Sequence, residues 1–201
     1  MPINATYRTW IQRICELRPK QRKTQVQNFV WLLVGIFHSH SVSLSKIAGK
    51  VISTAKNVST VRRLSRFLAS SAVDVRSWYR STAKAWLMAQ LQQVGEIRLI
   101  VDGTKIGFGY QLLMVSLAYR HRAVPITWSW IRHVRGHSSA AKQIVLLKCV
   151  RNMIPQNMPV FLVGDSEFGS IAVLHQLKQW HWFFVLRQKG NTGLWLDERT
   201  G

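Results

Sequence analysis

The chain has 201 residues, of which 47% are hydrophobic, so it can bury a substantial core in one or two domains. Its 28 lysine and arginine residues against 8 acidic residues give a net charge of +20, which favours a polyanionic partner, above all nucleic acid. The apolar run Phe29–Phe37 is far too short to cross a bilayer, and the first residues lack the pattern of a signal peptide. We therefore expect no membrane association.

Residues 1–95 are predicted to form an all-helical first domain, with Gly95 as its boundary to a second domain at 96–201. Fifteen of the lysine and arginine residues lie in this first part, against Glu16 and Asp74 as its acids. Apolar residues at helical spacing predict five helices. They cover approximately Thr6–Leu17, Thr24–His38, Ser43–Val51, Ser59–Ala69 and Asp74–Gln93.

The fourth predicted helix combines an apolar face with a basic face. At 100° per residue, the apolar face comprises Val61, Leu64 and Leu68. The opposite face comprises Arg62, Arg63 and Arg66. With the preceding helix it resembles a helix-turn-helix, in which the second helix enters the major groove, although the connection of about seven residues is longer than usual. We expect these arginines to contact DNA; the alternative is a solvated basic face on a packing helix.

Residues 96–201 are predicted to form a mixed sheet in the element order βββ-α-β-α-β. The strands cover Ile97–Asp102, Tyr110–Tyr119, Val124–Ile131, Val160–Asp165 and His181–Leu186. The two helices begin near Ser138, as an expected cap, and near Ser170. A three-stranded antiparallel meander followed by right-handed crossovers brings the fourth strand beside the first. The predicted strand order is therefore 3-2-1-4-5.

Two of these apolar strands, Ile97–Asp102 and Val160–Asp165, each end in an aspartate. If the strands are parallel neighbours, both carboxylates emerge at the same end of the sheet. Two carboxylates so close repel each other unless a cation lies between them. A divalent metal is the usual cation when all ligands are oxygens. Asp102 and Asp165 are therefore predicted to hold Mg²⁺ or Mn²⁺ in a phosphoryl-transfer site.

Four short segments resemble a known family. Ile100–Thr104, Val163–Gly169 and Phe184–Gly190 resemble motifs of bacterial insertion-sequence transposases, the cut-and-paste DDE type of the insertion-sequence-4 family. Ser59–Leu68 is similar to the N-terminal DNA-binding part of that family. The resemblance implies an α+β protein: an all-α DNA-binding domain followed by a ribonuclease H-like α/β catalytic domain, here incomplete.

The resemblance also implies an activity. It implies a two-metal site that cuts donor DNA and joins it to a target, with Asp102 bridging both ions and Asp165 holding one. Arg187 and Lys189 would hold DNA phosphates near the site, and their place after an apolar strand suits that role. The implied partners are transposon ends and target DNA, and a homodimer in a synaptic complex. The implied location is the bacterial cytoplasm, at the nucleoid.

The third catalytic acid of the family has no counterpart in this sequence. The family supplies it as a glutamate in the motif Tyr-x2-Arg-x3-Glu-x6-Lys, beyond an inserted β-rich domain, and this motif is absent. Glu167 lies only two residues past Asp165, and Asp197 and Glu198 fit no pattern. We therefore expect a C-terminally truncated transposase with little or no strand transfer. The alternatives are a catalytically inert DNA-binding inhibitor of a full-length transposase and a ribonuclease H-fold nuclease.

Overall fold

The computed structural model describes residues 3–132 and 138–193. By its internal contacts the chain divides into two compact units, Met1–Trp78 and Tyr79–Gly201. The expectations that concern Asp197 and Glu198 lie outside the described residues. Within the described ranges, no helix has the length and apolar character needed to cross a membrane.

The first unit is helical, as the sequence predicts. Its elements are α1 (Ile3–Leu17), α2 (Lys23–Ser39), α3 (Leu44–Ala48), α4 (Asn57–Leu68) and the first residues of α5 (Val75–Val94). Helix α2 contributes to two small apolar clusters: Val26, Val30 and Val34 pack with Ile14 and Trp78, whereas Trp31 and Leu32 pack with Ile47, Leu64 and Phe67. Gly35 is required in α2 because a Cβ there would lie 2.5 Å from Cγ2 of Ile47.

The buried face of α4 differs from the predicted one. The buried residues are Thr60, Leu64 and Phe67, whereas Leu68 is 58% exposed and Val61 is half-buried. The apolar face is rotated because the larger ring of Phe67 takes the buried position. This ring packs edge-on against Trp78, with 6.1 Å between the ring centroids. The rotation changes which arginines of α4 reach solvent.

The second unit contains the predicted sheet. Its strands are β1 (Ile97–Ile106), β2 (Tyr110–Tyr119), β3 (Arg122–Arg132), β4 (Val160–Gly164) and β5 (Phe183–Leu186). The strand order is β3-β2-β1-β4-β5, with β1 antiparallel to β2 and parallel to β4. The remaining elements are α6 (Ala140–Arg151), a short 3₁₀ turn (Ser166–Phe168) and α7 (Ile171–Gln179). The predicted α+β architecture with a mixed sheet in the order 3-2-1-4-5 is confirmed.

One face of the sheet carries the core of the second unit. Along β1, Ile97, Leu99 and Val101 are at most 2% exposed, and they pack with residues of β2, β4, α6 and α7. Ala83 and Leu87 of α5 are fully buried in the same core. The division between the units therefore lies within α5, at Trp78 and Tyr79, whereas the sequence placed the domain boundary after this helix.

Candidate metal centre and nucleic-acid interface

Asp102 and Asp165 lie on two neighbouring parallel strands, at the point where the pairing between them ends. Asp165 directly follows β4, whereas β1 does not end at Asp102 as expected but continues to Ile106, because its pairing with β2 extends that far. Strand β1 pairs with β4 up to the partners Val101 and Gly164, and each aspartate directly follows its member of that pair. Neighbouring strands are about 4.8 Å apart, so the two aspartate backbones are about 5 Å apart. Asp102 follows the buried Val101, and strand alternation therefore directs its side chain to the open face of the sheet. Both aspartates are exposed.

Arg187 extends this arrangement onto the next strand. Gly164 pairs with Leu186 in β5, and the backbone N–H of Arg187 donates to the carbonyl oxygen of Gly164 at 3.1 Å. Asp102, Asp165 and Arg187 thus occupy corresponding positions on three neighbouring strands, at the level where β4 and β5 end, and we call these residues the strand-end row. Lys189 follows two residues later and is exposed, like Arg187.

The two carboxylates of the strand-end row have no compensating cation among the described residues. The ion pair found there, between Arg98 and Glu96, lies at the opposite end of β1. Asp102 accepts a hydrogen bond from the Thr104 hydroxyl at 3.4 Å, and Asp165 accepts one from the Glu167 backbone N–H at 3.0 Å. The oxygens therefore keep lone pairs that face solvent. Oxygen-only donors of this kind suit Mg²⁺ or Mn²⁺.

Glu167 lies on the other face of the sheet from Asp102. Its carboxylate accepts hydrogen bonds from Gln111 Nε2, at 2.9 Å to each oxygen, and from the backbone N–H and the hydroxyl of Ser138. Gly103 leaves room for it, because a Cβ there would lie 2.7 Å from Glu167 Oε2. Glu167 is therefore committed to the core side of β1. Within the described ranges, no three His, Cys, Asp or Glu side chains gather as a metal site.

Ser138 does not cap α6, contrary to the prediction. The residue before the first turn of this helix is Ser139, and its side chain makes no capping hydrogen bond. The Ser138 hydroxyl donates to Glu167 and accepts from Gln143 Nε2 at 2.8 Å. The Ser138 hydroxyl accepts from this side-chain amide rather than from the first backbone N–H groups of α6, since the helix starts one residue later than expected. Ser138 and Glu167 thereby tie the start of α6 to the turn that carries Asp165.

Two glutamines in the sequence indicate this buried network, although the apolar pattern by itself does not reveal it. Gln111 lies at the inward phase of β2, which continues with the buried Leu113 and Val115, and is only 2% exposed. Gln143 lies on the buried stripe of α6 and is 1% exposed. A polar residue at an apolar phase needs a hydrogen-bond partner, so each glutamine indicates a buried acceptor nearby.

The three arginines of α4 do not form one solvent-exposed face. Arg62 and Arg66 are exposed, but Arg63 is half-buried. The guanidinium carbon of Arg63 lies 4.4 Å from the ring centroid of Trp31. Its Nε donates to Asn28 Oδ1 at 2.7 Å, and an Nη2 proton is donated to Gln27 Oε1 at 2.9 Å. Arg63 is therefore held in place by α2, and the predicted triple-arginine front reduces to Arg62 and Arg66.

Comparison with known proteins shows a distant structural likeness. No protein-family model and no curated protein sequence matches the chain. A cryo-EM structure of the piggyBac transposase synaptic complex with hairpin DNA is similar to it, with a TM-score of 0.43 and 12% sequence identity. The alignment covers 94% of this chain and 48% of that chain, so this chain spans about half the length of that transposase. The likeness is too distant to assign a family.

Proposed function

We propose that this chain is a DNA-binding protein of the DDE transposase type, in which Asp102 and Asp165 hold Mg²⁺ or Mn²⁺ beside the DNA backbone. The observation that carries the proposal is the pair of carboxylates on adjacent parallel strands, which form no ion pair among the described residues and have Arg187 on the next strand. The net charge of +20 supports a polyanionic substrate. The motif resemblance to insertion-sequence transposases supports double-stranded DNA as that substrate.

Each residue has a separate task in this proposal. The bound ions would activate the attacking hydroxyl and stabilise the leaving oxygen of the phosphodiester. Asp102 and Asp165 would provide the oxygen ligands. Arg187 and Lys189 would hold the phosphates that flank the scissile bond, which orients the backbone without reading sequence. On the first unit, the exposed Arg62 and Arg66 would contact DNA phosphates.

The proposed site has two acids where the transposase family has three, so we expect metal binding but little strand transfer. Glu167 does not supply the third acid, because its carboxylate is bound on the core side of β1. This observation favours the second candidate function, a DNA-binding protein that inhibits a full-length transposase by occupying its DNA ends. A ribonuclease H-fold nuclease would use the same two aspartates and is distinguished by cleavage assays.

Metal binding is tested with Mn²⁺ as the probe. The wild-type protein should broaden and reduce the electron paramagnetic resonance signal of free Mn²⁺, and Mn²⁺ should raise its melting temperature. Asp102→Asn and Asp165→Asn should each abolish both effects. Glu96→Gln is the matched control, because it removes a carboxylate at the opposite end of β1. Equal Mn²⁺ binding by wild type and both asparagine variants would refute the metal site.

DNA binding and cleavage are tested separately. Arg62→Ala combined with Arg66→Ala should lower the affinity for duplex DNA and flatten its dependence on salt concentration. Unchanged affinity and salt slope would remove Arg62 and Arg66 from the interface. On supercoiled plasmid with Mg²⁺ or Mn²⁺ we expect no substantial nicking. Robust nicking that Asp102→Ala abolishes would overturn the incomplete-site argument and show an active nuclease or transposase.

A further inference from the structure

A recess in the first unit has the chemistry of an anion site. It has a volume of about 500 Å³ and lies between α2, the connection from α3 to α4, and α4 itself. Its described lining contains two guanidinium groups, several hydroxyls and side-chain amides, and no acidic residue. This volume is in the range of pockets that take small ligands or parts of larger ones.

Arg63 is the fixed cation of this recess. Two of its five N–H groups donate to Asn28 and Gln27, and its planar face stacks on Trp31, so the position of the guanidinium is set by neutral neighbours. Three N–H groups remain for a ligand. Within the described ranges no carboxylate pairs with Arg63. A guanidinium that is held in place but not neutralised is preorganised to bind an anion.

Ser59 and Arg66 complete one side of the recess together with Arg63. They lie four residues before and three residues after it on α4, so the three side chains project from the same side of the helix. Arg66 is exposed, and its Nε donates to the carbonyl oxygen of Arg62 at 3.4 Å, which leaves its terminal N–H groups for a ligand. A hydroxyl beside two guanidinium groups matches the oxygens of a phosphodiester.

We propose that this recess binds a phosphodiester group of the DNA backbone, with Arg63 as the central ligand. The proposal rests on the DNA-binding function proposed above and deepens it. Arg63 then has a different task from Arg62, although they are neighbours in sequence. Arg62 makes a solvent-screened contact, whereas Arg63 presents a fork of fixed geometry inside a recess. Such a contact positions the helical unit on DNA and carries no base preference.

The test compares single variants of α4 in duplex DNA binding at several salt concentrations. Arg63→Ala should weaken binding about tenfold to a hundredfold, the range for losing charge-assisted hydrogen bonds, and lower the salt slope by about one. Arg63→Lys keeps the charge but loses the fork, so affinity should fall about tenfold with an unchanged slope. Arg62→Ala makes the same charge change outside the recess and should cost about fivefold at most.

A second variant keeps the test valid if Arg63→Ala fails to fold. Asn28→Asp is nearly isosteric, retains the hydrogen bond from Arg63 Nε and places a carboxylate against the guanidinium. It should leave the far-ultraviolet circular dichroism spectrum unchanged and weaken DNA binding about tenfold, because the cation is neutralised internally. Gln92→Glu is the control, since it adds the same charge at an exposed position of α5 outside the recess.

The outcomes separate the phosphodiester from other anions. If polyglutamate also binds the protein, and Arg63→Lys weakens that binding as much as it weakens DNA binding, the recess is a general anion site and the proposal is overturned. If millimolar inorganic phosphate stabilises the wild type but not Arg63→Lys, and the two proteins bind DNA with equal affinity, the recess is a site for free phosphate. That result would also overturn the proposal. If the wild type binds DNA, and Arg63→Lys and Asn28→Asp bind it with the same affinity, this inference is refuted but the proposed function is not. A wild type that binds no DNA refutes the proposed function.

Discussion

Replacing Glu167 with alanine tests whether this acid holds the structure together rather than binding a metal. Its carboxylate satisfies the backbone N–H of Ser138, at 2.8 Å, and the Nε2 amide of Gln111. Both donors belong to buried residues, since Ser138 is 8% exposed and Gln111 is 2% exposed. The Ser138 hydroxyl can rotate to another acceptor, so it is left out of the sum. The loss of this acceptor costs about 1–3 kcal/mol for each of the two buried donors.

We therefore expect Glu167→Ala to lower the free energy of unfolding by about 2–4 kcal/mol, taking the lower half of the range because Glu167 itself is half-buried. For a chain of this length the melting temperature should fall by about 5–15 °C. Urea unfolding followed by circular dichroism and tryptophan fluorescence measures the loss. Mn²⁺ binding should weaken too, because the same contacts fix the turn that begins at Asp165.

Glu167→Gln separates the hydrogen bonds from the charge. Its amide oxygen can accept both bonds from Ser138, and Gln111 can turn its own amide to accept from the new NH₂ group. The loss should therefore be only about 1 kcal/mol, the difference between charged and neutral acceptors. Glu16→Ala removes an exposed glutamate of α1 and should change stability by less than about 0.5 kcal/mol. An unfolding free energy equal in Glu167→Ala and wild type would refute the structural role.

Two further predictions concern the same unit. Gly164→Ala would place a Cβ 2.7 Å from Val101 Cγ1, so urea unfolding should show a loss of about 1–3 kcal/mol, whereas Gly109→Ala meets no atom within 4 Å and should fold normally. Burial raises the pKa of Tyr79, so its stabilising contribution is complete below pH 10.0 and is lost as pH rises through the folded-state value. Alkaline unfolding should therefore show a smaller loss in Tyr79→Phe than in wild type.

The strand order was predictable because the chain has few ways to connect its strands. Strands β1 to β3 are joined by short turns and therefore pair as antiparallel neighbours. A crossover between strands of one sheet is expected to be right-handed, and the return of the chain after α6 fills the open place beside β1. The continuous apolar run of β4 suggested burial on both faces, yet Phe161 and Val163 are 38% and 43% exposed. An apolar run without alternating polar residues does not show which face of the strand is buried, so the exposed face of β4 was not predictable from the sequence.

The details of α4 and of Glu167 depend on tertiary contacts that local patterns do not contain. Leu68 and Phe67 are adjacent and both apolar, and Phe67 is the buried one because it packs with a cluster from α2, α3 and α4 and against the ring of Trp78. Likewise, Arg62 and Arg63 are adjacent on α4, but the side chain of Arg63 finds its hydrogen-bond partners on α2. Helical periodicity assigns positions to a face but cannot weigh such competing partners.

The availability of both aspartates depends on one strand register. Side chains alternate along a strand, so a shift of one residue would turn Asp102 into the core and Val101 outward. The core fixes the register because Val101 and Leu162 are at most 2% exposed and Gly164 leaves the space that Val101 fills. Among the residues that the structure describes, the apolar clusters of the helical unit and this core have no member in common. Replacing both Asp102 and Asp165 with asparagine should therefore abolish metal binding and leave the DNA contacts of α4 intact. A protein that still binds DNA after losing its metal is what the second candidate function, an inert DNA-binding protein, requires.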